Sequence, residues 1–174
     1  CAGKGVFKLP PGSWAEWRAD GTHRAGRYWE PAEVAFAAAS GPPADLASVL
    51  EESVAYAGEG QAFGRPIGAN QAVAFACSDL AVMAETASLL TYQAAWLRDI
   101  GRPYKREAAM AKLYATEGAV TATRMATQVF GGYGFMDETL VARQYRDAKI
   151  LEIGEGTSEI QRLVIARDLG LPVG

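Results

Sequence analysis

The residues best equipped for chemistry lie near the C-terminus, in RDAKILEIGEGTSEIQR (Arg146–Arg162). One carboxylate, Glu155, stands between Gly154 and Gly156, directly before a helix-start signal. Flanking glycines let the backbone come close to a ligand, which would bring a carboxylate beside it. Ser158 and Gln161 have the S-x-x-Q spacing of a capping box, and Leu163, Val164 and Ile165 follow. That pattern predicts a helix from about residue 159 to Leu169, stopped by Gly170 with Pro172 beyond. A plainer role is open on spacing alone: an acid before a helix complements its positive end, worth about 0.3–1 kcal/mol at an exposed site.

Other chemistries find little material. The chain has two cysteines, Cys1 and Cys77, and one histidine, His23 in a polar turn-like stretch. A His/Cys metal centre and a disulfide framework are therefore not expected. Cys77 falls within an apolar helical pattern and reads as an inert buried thiol. A net charge of −3 with dispersed basic residues gives no case for nucleic acid or an anionic membrane. No stretch offers the ~18 uncharged apolar residues that span a bilayer. Lys4 and Lys8 precede Pro10 and Pro11 rather than an apolar run, so no signal peptide is expected. The expected location is the cytoplasm, or the mitochondrial matrix if the protein is eukaryotic. The chain opens on Cys1 rather than Met, which predicts a piece of a longer protein.

The elements that must position Glu155 read as helices. Residues 1–30 lack sustained periodicity, with short extended pieces expected at Gly5–Leu9 and Ala25–Trp29 around a turn at Ala19–Thr22. Trp14, Trp17, Tyr28 and Trp29 would pack on a preceding domain or fold over the bundle. An alanine-rich helix start at Glu33–Ser40 is broken by Gly41-Pro42-Pro43. Leu46, Val49, Leu50, Val54 and Ala57 then share one face, ending at Gly58–Gly60. From about Asn70 to Ile100, a stripe through Val73, Leu80, Ala87 and Ala94 runs beside a second through Phe75, Val82, Leu89 and Trp96. So broad an apolar face predicts the central helix of a bundle. Arg106–Phe130 follows, with Met110, Leu113, Val120, Val129 and Phe130 inward and Glu117 and Arg124 solvated; a short helix is expected over Glu138–Arg143 or beyond. With 49% hydrophobic residues the chain supports a real core. The expected class is all-α, an antiparallel up-down-up-down bundle over 31–174, with strands confined to the irregular segment 1–30.

Four ordered segments carry a resemblance: AYAGEGQAFGRPIGANQAVAF (Ala55–Phe75), AAMAKLYATEGA (Ala108–Ala119), TQVFGGYGF (Thr127–Phe135) and the tail itself. They are similar, in order and separation, to the C-terminal helical domain of acyl-CoA dehydrogenases, over roughly residues 45–171. The resemblance implies that Glu155 is the base that takes the α-proton of an acyl-CoA thioester. It implies FAD as cofactor, with the flavin accepting the β-hydride and a trans-2-enoyl-CoA as product. By the same resemblance Gly156 and Arg167 lie at the substrate, and Thr157 and Glu159 at the flavin. Phe63, Gln128, Gly131 and Gly132 match positions lent to a neighbouring subunit's flavin. Homo- or hetero-oligomers and electron-transfer flavoprotein as acceptor follow as implied partners. Plainer roles stay open: core packing for Phe63, a helix cap for Gly131-Gly132, and a charge complementing the helix end for Arg167.

One departure stands out. The family usually carries an arginine two residues before the Ala62-Phe63 pair, where it reaches the partner's flavin diphosphate; in this chain that position is Gly60. It opens a second reading, a degenerate assembly subunit that no longer holds flavin; a third, an acyl-CoA oxidase-like relative, is not separated from a dehydrogenase by any residue here. The isolated chain is expected to be inactive, since the resemblance places the pockets for the isoalloxazine ring and thioester outside it.

Overall fold

The computed structural model describes residues 13–18, 21–27 and 46–173. The expected strand at Gly5–Leu9, the pair Tyr28 and Trp29, the helix start at Glu33–Ser40 and the Gly41-Pro42-Pro43 break lie outside those residues, as do the side chains of Trp14 and Trp17. Strand β1 (Ser13–Trp17) pairs antiparallel with β2 (His23–Arg27), Ala15 opposite Ala25. The second strand thus starts earlier than expected, and His23 opens it rather than lying in a turn. Arg24 and Glu16 pair across the two strands at 2.7 Å.

Among the described residues, five helices form the antiparallel bundle: α1 (Leu46–Glu59), α2 (Gln71–Asp99), α3 (Lys105–Phe130), α4 (Leu140–Ile153) and α5 (Ser158–Asp168). The helical class is as expected, but the hub is not α2. It is α3, which packs against each of the other four. The reason is the size of its buried residues: Ala108, Ala111, Ala115, Ala119, Ala122 and Ala126 let neighbouring backbones come close. Thr116 and Thr123 join them, their hydroxyls bonded back to the Lys112 and Ala119 carbonyls at 2.9 and 2.8 Å. Of the residues expected inward, Val129 and Phe130 are buried, whereas Met110 is exposed. Arg124 is solvated as expected.

Among the described residues only one stripe of α2 is covered. Leu80, Ala87 and Ala94 are buried, while Phe75, Val82, Leu89 and Trp96 face outward along its length. By length and composition α2 is also apolar enough to cross a bilayer, though Asp79 and Glu85 interrupt it and its inner stripe packs on protein. Cys77 is half-buried, and that burial pushes its thiol pKa up, toward the inert form.

Strands are not confined to the N-terminal segment. Between α1 and α2, β3 (Gln61–Ala62) and β4 (Arg65–Pro66) form a minimal hairpin. Its two-residue loop, Phe63 and Gly64, has positive φ at both positions, 55° and 76°. At the far end of the chain, Gly170 (φ 82°) closes α5 as expected: its N–H bonds the Arg167 carbonyl and that of Leu171 the Ala166 carbonyl, each at 3.0 Å.

Candidate functional site

Glu155 lies in the short link between α4 and α5, and its backbone is left-handed, φ 56°. A non-glycine residue there carries strain of order 1–3 kcal/mol, which the surroundings must impose. Gly154 before it is extended, and Gly156 after it has φ 95°. The link is therefore a sharp reversal that leaves the carboxylate exposed. Gly156 itself is half-buried behind it.

The helix start after the reversal differs from the expected capping box. Thr157, not Ser158, is the N-cap: its hydroxyl accepts from the Ile160 N–H at 3.4 Å. Ser158 becomes the first helical residue and is buried. Gln161 then sits one position past the box register, and its Nε2 donates instead to the Gly156 carbonyl at 3.2 Å, bracing the reversal from within. Glu159 is exposed in the first turn, its pKa lowered by its own backbone N–H and then by the Thr157 hydroxyl. Thr157, Ser158 and Glu159 line a shallow cavity of about 170 Å³ with Glu117, Lys149, Glu152 and Ile153. Glu117, on α3, is only partly solvated: Arg162 of α5 donates to it at 2.8 Å and holds its carboxyl below the usual range.

Lys112 is a functional candidate that no motif in the sequence marks. It is 1% exposed, on the inward face of α3, and its Nζ donates to the Leu151 carbonyl at 2.8 Å. A signal was present, because residue 112 falls on the same face as Ala108, Ala115 and Ala119. Burial lowers its pKa; among the carboxylates that oppose this, Glu155 acts most strongly, then Glu152, Glu117 and Glu159.

The other candidates form a second group, at the opposite end of α3. Gln128 is exposed in its last turn, and Gly131 (φ 58°) caps the helix with its N–H on the Gln128 carbonyl. At Gly131 and Gly132 a Cβ would meet nothing within 4 Å, so their backbone lies open to a ligand. Phe63 belongs to this end, because Tyr56 in the last turn of α1 stacks on Phe130, ring centres 4.2 Å apart. Phe63 is 99% exposed, so core packing is not its role. From Lys112, beside the Glu155 link, to Gln128 runs about 24 Å of helix at 1.5 Å per residue. One chain therefore does not gather both groups into one pocket. Arg167 is exposed on α5, with its Nε on the Val173 carbonyl at 3.4 Å. At Gly60, a Cβ would stand 3.0 Å from the Tyr56 carbonyl and 3.3 Å from Ile67 Cδ1, tight against the hairpin base.

Among the described residues no cluster of His, Cys, Asp and Glu is arranged to hold a metal ion. The model of the acyl-CoA dehydrogenase C-terminal domain matches residues 34–170. The chain is 49% identical over 122 residues to the mitochondrial short-chain specific acyl-CoA dehydrogenase of Bos taurus, covering 70% of this chain and 30% of that one. Among solved structures it is similar to butyryl-CoA dehydrogenase from Megasphaera elsdenii, with TM-score 0.75, 36% identity, and 78% of this chain and 35% of that one covered. It is similar also to PigA in its FAD complex, with TM-score 0.74, 34% identity, and 83% and 37% covered. The chain spans about a third of the length of these relatives. With bundle, hairpin and the strained glutamate link all falling within the matched residues, the chain belongs to the acyl-CoA dehydrogenase family and carries its C-terminal helical domain.

Proposed function

We propose that the protein is an FAD-dependent acyl-CoA dehydrogenase in which Glu155 is the catalytic base. The observation that carries this is the left-handed, glycine-flanked, exposed backbone at Glu155: a costly conformation that presents a carboxylate and serves no packing purpose. The Glu155 carboxylate takes the α-proton of an acyl-CoA thioester. The β-hydrogen leaves as hydride, the carbon–carbon double bond forms, and a trans-2-enoyl-CoA results. FAD, when bound, would supply the two-electron acceptor for that hydride, with electron-transfer flavoprotein as the onward partner. The exposed Glu155 carboxylate is free to approach the α-carbon of a bound acyl chain, the geometry that proton abstraction needs. Gly156 leaves room for the thioester, and the exposed Arg167 is available to substrate phosphate at the cost of one long bond to Val173.

The residues fit a flavin dinucleotide at its edges. Thr157 heads α5, where the positive end of the helix dipole favours an anion. Glu159, itself anionic, suits hydroxyls of the cofactor rather than its diphosphate. Gly131 and Gly132 offer open backbone and Phe63 an exposed ring. Because these lie a helix length from Glu155, we assign Phe63, Gln128, Gly131 and Gly132 to the flavin of a neighbouring subunit. The outward stripe of α2 supports association, as a homo-oligomer or with a related subunit. We place the protein in the cytoplasm, or in the mitochondrial matrix if it is eukaryotic.

Gly60 favours a second reading, a subunit that assembles without flavin, because a charge that would reach diphosphate is absent from a tightly packed position. One preparation separates the two. The protein as its gene encodes it is expected to purify yellow and to convert an acyl-CoA to enoyl-CoA with bleaching of the flavin. A colourless, stably assembled protein would overturn the dehydrogenase in favour of the assembly subunit.

A further inference from the structure

The Leu151 carbonyl sits in the last turn of α4, where the helical ladder no longer supplies a donor. The Ile150 carbonyl still accepts from the Gly154 N–H at 2.8 Å, so the helix proper ends there. What meets Leu151 is the Lys112 ammonium from the middle of the bundle, at 2.8 Å. A buried cation at this spot does two things. It satisfies an orphan carbonyl, and it complements the negative end of α4. Four residues after Leu151 comes Glu155, held at φ 56°.

We propose that Lys112 is a positioning residue: from inside the bundle it clamps the end of α4 and so imposes the strained reversal that presents Glu155. This rests on Glu155 being the base. A strained conformation persists only where its surroundings over-determine it. The reversal is gripped on both sides. Lys112 holds Leu151 before it, and Gln161, 1% exposed, holds the Gly156 carbonyl after it at 3.2 Å. An apolar residue would fill the Lys112 site at lower desolvation cost, so packing alone gives no reason for an ammonium there. Electrostatics points the same way. Burial is the main influence on the Lys112 ammonium, and of the carboxylates that oppose it Glu155 acts most strongly, as expected for a cation held beside this link.

The test compares Lys112→Met, which keeps the stem and loses the donor and charge, with Lys112→Arg, which keeps both. Both are made in the full gene product with flavin bound. Amide hydrogen exchange is expected to accelerate at least tenfold over residues 152–157 in Lys112→Met, with α2 unchanged. In the same variant kcat for an acyl-CoA falls about tenfold or more with KM within about twofold, and Lys112→Arg recovers most of both. Unchanged protection at 152–157 would overturn the proposal. So would loss of protection spread evenly through α2 and α3, or a Lys112→Met protein that cannot fold, because Lys112 would then support the whole bundle. Exchange does not depend on turnover. If Glu155 is not the base, kcat changes lose their meaning while exchange still reports whether Lys112 clamps the link.

Discussion

Phe63 and Glu155, at opposite ends of the bundle, are the two non-glycine residues with left-handed backbone among the described residues, at φ 55° and 56°. Each is exposed, so neither conformation is explained by burial of its side chain. Both occupy positions that fold stability would give to glycine or asparagine. The two strained points coincide with the two proposed halves of a shared site, one from each of two subunits.

Replacing Phe63 by Asn, with Gly64 following, creates the favoured pair for a two-residue hairpin loop. Stability of the flavin-free protein is expected to rise by about 0.5–1 kcal/mol, read from thermal melting. Flavin retention should weaken at the same time. Tighter or unchanged retention would remove Phe63 from the cofactor site.

Gly134 leaves no room for a side chain. A Cβ there would stand 2.5 Å from the Thr127 carbonyl and 2.9 Å from Phe130 Cβ. Gly134→Ala must therefore displace the turn after α3, and we expect a loss of about 2–4 kcal/mol, in the range of overpacking and backbone strain. Because Gly131 and Gly132 precede this turn, flavin retention falls with it. A melting curve identical to the parent's would contradict the packing described.

The Glu117–Arg162 pair gives a pH signature. Its carboxyl is lowered first by the Arg162 hydrogen bond, so the pair contributes stability at neutral pH, and this is lost as pH falls through the lowered Glu117 pKa. Both partners are partly solvated, which limits the effect to about 0.2–1 kcal/mol. Glu117→Gln should cost that amount at neutral pH and nothing once the pH is well below the lowered pKa, by denaturant titration. An equal cost at both ends of that range would show that the charge is not what matters.

The isolated 174-residue chain should be mainly helical by circular dichroism, self-associate and hold little flavin. Association follows from the outward stripe Phe75, Val82, Leu89 and Trp96 on α2. Weak flavin binding follows from the two proposed half-sites lying far apart on one chain. A monomer at high concentration, or a stoichiometric flavin, would contradict this.

Much of the fold is legible in the sequence because its punctuation is glycine and its long helices are periodic. Gly101, Gly131 and Gly170 stop or follow helices where the sequence places them, each with positive φ. The hub is not legible, because alanine and threonine carry little hydrophobic weight, yet small size is what lets α3 touch four neighbours. The Phe63-Gly64 turn hides because phenylalanine is a poor turn residue, and the cap on Thr157 hides because the adjacent Ser158 is the intrinsically better N-cap residue. Glu155 is visible from its glycines, but its strain is not, since the forces that impose it come from Lys112 and Gln161, distant in sequence or out of register.

The most direct test is single-turnover bleaching of bound flavin by an acyl-CoA in the Glu155→Gln protein. The amide keeps the shape of the carboxylate and cannot take the proton. We expect a protein fully loaded with flavin whose bleaching is slowed by at least about a thousandfold, more than about 4 kcal/mol in the barrier. Bleaching at the parent rate would remove Glu155 from the reaction and leave the strained link without a catalytic purpose.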